Sequence, residues 1–149
     1  MDGAHLHLIL NHVPLFGILF GVIVLTFGVW KDDISLQKAG LFTFIATAVI
    51  TIAVFVTGGE AEHIIEQLPN ADEKLIHAHE EAADSALWVT IAIGLLSSFL
   101  IYKRKLGTQA IKKWLIALIA INLLLVGYLG YVNNLGGQIL HQEIRTGNQ

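Results

Sequence analysis

The sequence predicts an all-α, four-helix transmembrane up-down bundle, and three observations carry this prediction. Apolar residues make up 54% of the 149 residues and charged residues only 14%, with a mean hydropathy of +0.65. A soluble chain of this size exposes too much surface to hide so many apolar side chains from water. The apolar residues fall into four runs, and the basic residues are confined to particular connections between them. We treat residues 1–149 as one membrane domain.

Each of the four apolar runs has the length of a membrane span. A hydrocarbon core of about 30 Å needs about 20 helical residues at about 1.5 Å per residue. We predict spans at about 13–30, 40–57, 82–102 and 114–132. Short connections after the first and third spans favour antiparallel neighbours. The glycine pairs Gly17/Gly21 and Gly127/Gly130 are expected to allow close helix packing.

The connection between the second and third spans is predicted to be helical. Gly58-Gly59 is expected to end span 2, and residues 60–68 have the pattern of a short amphipathic helix. A continuous helix over 71–103 would reach about 50 Å and overshoot the bilayer on this side. After span 4, Gly136-Gly137 is expected to break the helix before His141.

The basic residues orient the spans. Seven of the nine lie in the two short connections: Lys31, Lys38, Lys103, Arg104, Lys105, Lys112 and Lys113. Lysine and arginine near span ends are retained on the cytoplasmic side, so both chain ends are predicted to face outside. In a bacterium this is a multi-pass protein of the inner (cytoplasmic) membrane with periplasmic N- and C-termini.

All seven histidines fall on the predicted outer side: His5, His7, His12, His63, His77, His79 and His141. The same side holds ten of the twelve acidic residues, and the net charge of -3 without a basic stripe excludes a nucleic-acid partner. The chain has no cysteine, and its one methionine is at position 1. Imidazole is therefore the main metal-binding group available.

His12 and His79 are the first candidates for a shared cofactor site, with His7 and His141 in reserve. His12 lies at the rim of span 1, and His79 precedes span 3 on a face that carries small alanines. Spans 1 and 3 are diagonal in an up-down bundle, so two histidines at one depth could supply both axial ligands of a haem b. The other interpretation of His79 is a core histidine bonded to a carbonyl oxygen.

Two further functions stay open beside a b-type haem electron-transfer module. One is a divalent-metal site for copper, zinc or iron at the outer rim, built from His12, His79, His141, Glu60, Glu80 and Glu143. The other is a cofactor-free accessory subunit of a respiratory membrane complex. His77 lies in a polar stripe with Glu73 and Glu81, and we expect that stripe to be a solvated face. Without a nucleophile–base–acid set, the sequence favours an electron-transfer or accessory subunit over a stand-alone enzyme.

The opening of the chain resembles that of a family. His7-Leu-Ile-Leu-Asn-His12-Val-Pro14 is similar to the His-Pro-x-x-x-His-x-Pro signature of uncharacterised bacterial four-span membrane proteins, although Leu8 stands where that family has proline. Thr57-Gly58, His79 and the tail around His141 look like further family positions. Its members often occur beside or fused to c-type cytochromes. The resemblance implies a c-type cytochrome or a larger respiratory complex as a partner, beside membrane lipid.

Overall fold

The computed structural model describes residues 3–67, 72–105 and 111–141. Every regular element in these ranges is a helix: α1 (Gly3–Leu10), α2 (Val13–Trp30), α3 (Ile34–Ile65), α4 (Glu73–Lys105) and α5 (Ile111–Leu140). Four segments are long and apolar enough to cross a membrane: Gly3–Trp30, Ile34–Ile65, Glu73–Lys103 and Ile111–Ile139. The predicted all-helical architecture with four apolar spans is confirmed, and it indicates a multi-pass membrane protein.

The four long helices close into a ring. α2 packs against α3 and α5, and α4 packs against the same two helices on the other side. α1, which precedes α2 in the first span, packs on α3. Ile18, Phe44 and Leu115 are fully buried between the helices. The outward faces carry large exposed apolar side chains such as Phe16, Trp88 and Leu124, a surface that suits lipid.

The two ends of the bundle differ in the side chains that they carry. We call one the lysine end (residues 28–40, 100–105 and 111–114), where Lys112 Nζ donates a hydrogen bond of 2.9 Å to Asp32 Oδ1. We call the other the histidine end (residues 3–12, 54–67, 72–80 and 132–141). All seven histidines lie at the histidine end.

The turn between α2 and α3 is held by side-chain hydrogen bonds. Asp33 is the N-cap of α3, and its Oδ1 accepts from the backbone N–H groups of Ser35 and Leu36 at 2.7 and 3.1 Å. Such a cap satisfies N–H groups that have no partner within the helix. The buried Gln37 side chain donates from Nε2 to the carbonyl oxygen of Gly28 at 2.8 Å. These bonds fix how α3 leaves the turn.

Helices pack closely at some, but not all, of the glycines where the sequence predicts close packing. A Cβ atom on Gly21 would lie 2.5 Å from Cε1 of Phe44, so α3 approaches α2 as closely as glycine permits. A Cβ on Gly40 would lie 2.8 Å from the backbone nitrogen of Leu25. The prediction is wrong for Gly127 and Gly130, which have nothing within 4 Å of a Cβ position. Both are exposed on the outer surface of α5.

At the histidine end the helices continue where the sequence suggests breaks. α3 passes through Gly58-Gly59 to Ile65, and α5 passes through Gly136-Gly137 to Leu140. The expected breaks at these glycine pairs are therefore wrong. A helix satisfies its own backbone groups near a bilayer, which outweighs the cost of about 1 kcal/mol for glycine in a helix interior. Residues 60–65 belong to α3, whereas residue 68 of the expected amphipathic helix lies outside the described residues.

Candidate functional site

His79 is held by a hydrogen bond from α4 to α5. Its side chain is half-buried, and its Nδ1 lies 3.0 Å from the carbonyl oxygen of Val132. A carbonyl oxygen can only accept a hydrogen bond, so in this contact Nδ1 carries the proton. The lone pair of the neutral ring is then on Nε2. This contact fits the carbonyl-bonded histidine, one of the two interpretations of His79 that the sequence leaves open, and it leaves one nitrogen able to bind a ligand.

His7, in the first span, makes the same kind of contact as His79. It is half-buried on α1, and its Nδ1 lies 3.0 Å from the carbonyl oxygen of Val54 on α3. The same reasoning places the proton on Nδ1 and the lone pair on Nε2. Metal-bound histidines commonly use their other ring N–H in this way, which fixes the tautomer and the orientation of the ring.

Each imidazole also lies against a glycine one helical turn beyond its carbonyl partner. A Cβ atom on Gly58 would lie 3.2 Å from Cε1 of His7, and one on Gly136 would lie 3.0 Å from Cε1 of His79. Both distances are shorter than an ordinary van der Waals contact between carbon atoms. The absence of a side chain at Gly58 and Gly136 therefore allows the two rings to reach their carbonyl partners.

The two histidines come from diagonal positions in the bundle. α1 belongs to the first span and packs on α3, whereas α4 is the span that packs between α3 and α5. Each histidine bonds to the next span along the chain, so the two contacts are related by a half-turn around the bundle.

An internal repeat in the sequence underlies this symmetry. Residues 54–63 read Val-x-x-x-Gly-Gly-x-x-x-His, and residues 132–141 read the same pattern. Each copy pairs with a His-x-His segment, residues 5–7 for the first and residues 77–79 for the second. A search for self-similarity between the two halves would have found these positions, because a repeat marks a duplicated structural unit. The helix face on which each histidine lies, taken alone, does not reveal this repeat.

The other predicted ligands lie in different surroundings. His12 is exposed in the turn between α1 and α2, where it is the N-cap residue of α2 without a side-chain cap bond. His141 is exposed directly after α5. Among the four predicted haem ligands, His7 and His79 share one geometry, with Nδ1 bonded to a valine carbonyl oxygen of the next span.

Within the described residues, the carboxylates of the predicted metal set do not form one ligand cluster. Glu60 is exposed on α3, and its carboxylate occupies the space beside Gly3 of α1. Glu80 is exposed on α4, with its Oε2 3.6 Å from Nδ1 of His77. Glu143 lies outside the described residues. Glu80 instead forms a group with His77 and Glu62, whose ligand atoms lie within 4.8 Å of one another.

The fold and this site define a class of protein: an all-helical, multi-pass chain with a pair of carbonyl-bonded histidines at one end of its bundle. Comparisons with protein-family models, with curated proteins and with solved structures found no match for this chain. The family resemblance of the opening segment therefore stays a prediction, and the function is argued from the site itself.

Proposed function

We propose that this protein is a membrane-embedded b-type haem electron-transfer module in which His7 and His79 are the two axial ligands. The observation that carries the proposal is the pair of half-buried imidazoles with Nδ1 bonded to the carbonyl oxygens of Val54 and Val132. Both rings have Nε2 available, and they come from diagonal spans. Two such nitrogens meet the ligand requirement of a six-coordinate haem iron.

The available ligand chemistry supports iron bound by imidazole. The chain has no cysteine for thiolate ligation and no methionine beyond position 1. A haem with two neutral imidazoles carries one-electron chemistry, and the protein tunes it through axial ligation, hydrogen bonds and burial. The bonds to Val54 and Val132 raise the basicity of both imidazoles, which favours the oxidised iron.

Small apolar side chains follow His79 on α4, and they pack into the core of the bundle. Ala82 and Ala86 follow His79 on α4 and are buried, with 7% and 3% of their surface exposed. Gly58 and Gly136 keep the helix faces opposite the imidazoles free of side chains. Apolar walls of this kind exclude water and lower the local dielectric constant around the iron.

A cationic electron partner fits the surface around the site. The histidine end carries exposed carboxylates at Glu60, Glu66, Glu73 and Glu80, and the exposed Glu81 follows directly. Acidic surfaces attract and orient a basic partner, which increases the rate of encounter. We propose a c-type cytochrome, free or within a respiratory complex, as donor or acceptor. In the predicted orientation, the histidine end lies on the periplasmic side of a bacterial inner membrane.

The test is optical spectroscopy of the full chain purified in detergent from cells that synthesise haem. We expect a Soret band, with sharp α and β bands after reduction by dithionite, and one iron per haem. His7→Ala and His79→Ala should each abolish the six-coordinate spectrum. His12→Ala and His63→Ala are matched controls on exposed histidines and should leave it unchanged.

The outcomes separate the three functions that the sequence leaves open. A colourless protein that copurifies with stoichiometric partners would contradict the haem proposal and support an accessory subunit. A colourless protein that contains copper, zinc or iron would support a metal-binding protein. A haem spectrum that His12→Ala removes and His7→Ala retains would overturn the choice of His7 as the ligand.

A further inference from the structure

A second cluster of ligating side chains lies at the histidine end, between α3 and α4. Glu62 comes from the last turns of α3, and His77 and Glu80 come from the first turns of α4, three residues apart on one helix face. One ligand atom from each residue lies within 4.8 Å of the other two. Nδ1 of His77 is 3.6 Å from Oε2 of Glu80. Two helices therefore direct three side chains toward one point.

The charges around this point are not balanced by a basic side chain. Glu80 and Glu66 act on Glu62 with like charge, and His77 is the group that acts on it with opposite charge. Among the described residues, no lysine or arginine forms an ion pair with Glu62 or Glu80. Two carboxylates held together without a cation repel each other, and a bound divalent cation removes that repulsion.

The donor set selects the kind of cation. Imidazole favours zinc, copper, iron and nickel, whereas carboxylates accept these ions as well as harder ones. With no thiolate in the chain, the set does not favour copper(I). Three protein ligands on a solvent-facing surface leave a further coordination position for water, as in zinc sites with an open position. His77 and Glu80 are exposed and Glu62 is half-buried, so an ion can enter from solvent.

We propose that Glu62, His77 and Glu80 form a binding site for a divalent first-row transition-metal ion, separate from the haem site at His7 and His79. This site shares only Glu80 with the metal set that the sequence predicts. Because its ligands belong to α3 and α4, a bound ion joins the two halves of the chain across their connection. It thereby stabilises the folded state, by an amount that grows with the logarithm of the ion concentration above the dissociation constant.

Isothermal titration of the full chain in detergent with zinc chloride, after treatment with a chelator, tests the proposal. We expect one saturable binding event that Glu62→Gln and His77→Ala each weaken by about tenfold or more. His63→Ala and Glu81→Gln are matched controls, because they remove an exposed imidazole and an exposed carboxylate next to Glu62 and Glu80. Zinc should raise the unfolding temperature of the wild type and of both controls, but not of Glu62→Gln.

Two results would overturn the site. One is equal zinc affinity in the wild type, Glu62→Gln and His77→Ala. The other is the same weakening in both controls, which would show diffuse attraction to the acidic surface. His7→Ala and His79→Ala should bind zinc normally, so failure of the haem proposal would leave this test intact. Circular dichroism spectra that match the wild type would confirm that each variant is folded.

Discussion

The two halves of the bundle, α1–α3 and α4–α5, present the same histidine arrangement on differently packed helices. In the first half, α2 and α3 touch through glycine, so that a Cβ on Gly40 would meet the backbone of Leu25. In the second half, Gly127 and Gly130 of α5 lie open on the outer surface. Yet each half places an imidazole 3.0 Å from a valine carbonyl oxygen and against a glycine one turn later.

The two halves differ in how their helices pack but not in their histidine contacts. If helix packing alone determined those contacts, they would differ between the two halves. They are preserved although the interhelical contacts differ, and although His7 lies on the short helix α1 while His79 lies on the 33-residue helix α4. The shared geometry is therefore a property of the site, and it supports a common role for both imidazoles.

The largest effect is expected at Gly40, where α3 lies against Leu25 of α2 in the first half. In Gly40→Ala the new methyl group would lie 2.8 Å from the Leu25 nitrogen, so α2 and α3 must move apart. Overpacking of this kind costs about 1–3 kcal/mol of folding free energy. Thermal unfolding in detergent, followed by circular dichroism, should show a clearly lowered midpoint.

Gly130→Ala is the control for this variant in the second half. Its methyl group meets nothing within 4 Å, and alanine favours a helix by about 0.5–1 kcal/mol over glycine. Its unfolding midpoint should stay the same or rise. Equal destabilisation by both variants would mean that the halves do not differ in packing as described.

A smaller effect is expected at the two glycines beside the imidazoles. Gly136→Ala should push the His79 ring, because its methyl group would lie 3.0 Å from Cε1, and Gly58→Ala should push His7 less at 3.2 Å. Displaced rings bind iron less well, so haem occupancy should fall more in Gly136→Ala than in Gly58→Ala. The ratio of Soret absorbance to protein absorbance measures this fall.

Gly59→Ala is the matched control beside Gly58, since it has nothing within 4 Å of its Cβ position. It should retain full haem occupancy. In the absence of haem, Gly59→Ala should unfold no earlier than the wild type, because its methyl group has open space and alanine favours the helix. A loss of haem from Gly59→Ala as large as that from Gly136→Ala would contradict a positioning role for the glycines.

The smallest effect is expected at the caps that start α3, the last helix of the first half, and α4, the first helix of the second half. Asp33 accepts from two backbone N–H groups at 2.7 and 3.1 Å, whereas Asp72 accepts from those of Lys74 and Leu75 at 3.2 and 3.4 Å. Shorter bonds are stronger, so Asp33→Ala should cost about 1 kcal/mol and Asp72→Ala less. Chemical unfolding in detergent can compare the two, with Asp33→Asn as the conservative control. The reverse order would show that the cap at Asp72 is the stronger one.

The sequence predicts the four apolar helices because span length and hydrophobicity are local properties of the chain. It fails at Gly58-Gly59 and Gly136-Gly137, where local propensity favours a break but the helices of the bundle continue. Glycine is an ambiguous signal for this reason. At Gly58 and Gly136 the missing side chain leaves room for an imidazole, which is a tertiary contact.

The site is predictable only in part for a related reason. The alanine-rich face of α4 points to His79, and that face is visible in the sequence. His7 contacts a carbonyl 47 residues away, and nothing local in residues 3–10 shows that α1 folds back onto α3. The matching patterns at 54–63 and 132–141 were the one sequence signal that relates His7 to His79.

The acceptors for both imidazoles are main-chain atoms, and this has a consequence for mutagenesis. Replacing Val54 or Val132 by leucine or isoleucine leaves the carbonyl oxygen where it is, so the ring tautomer depends on helix register and not on the identity of that residue. A saturation scan would detect the roles of the histidines and glycines. It would not detect the roles of the two carbonyl oxygens that orient the imidazole rings. Only a change in the backbone itself, such as an ester bond in place of the amide, would expose their contribution.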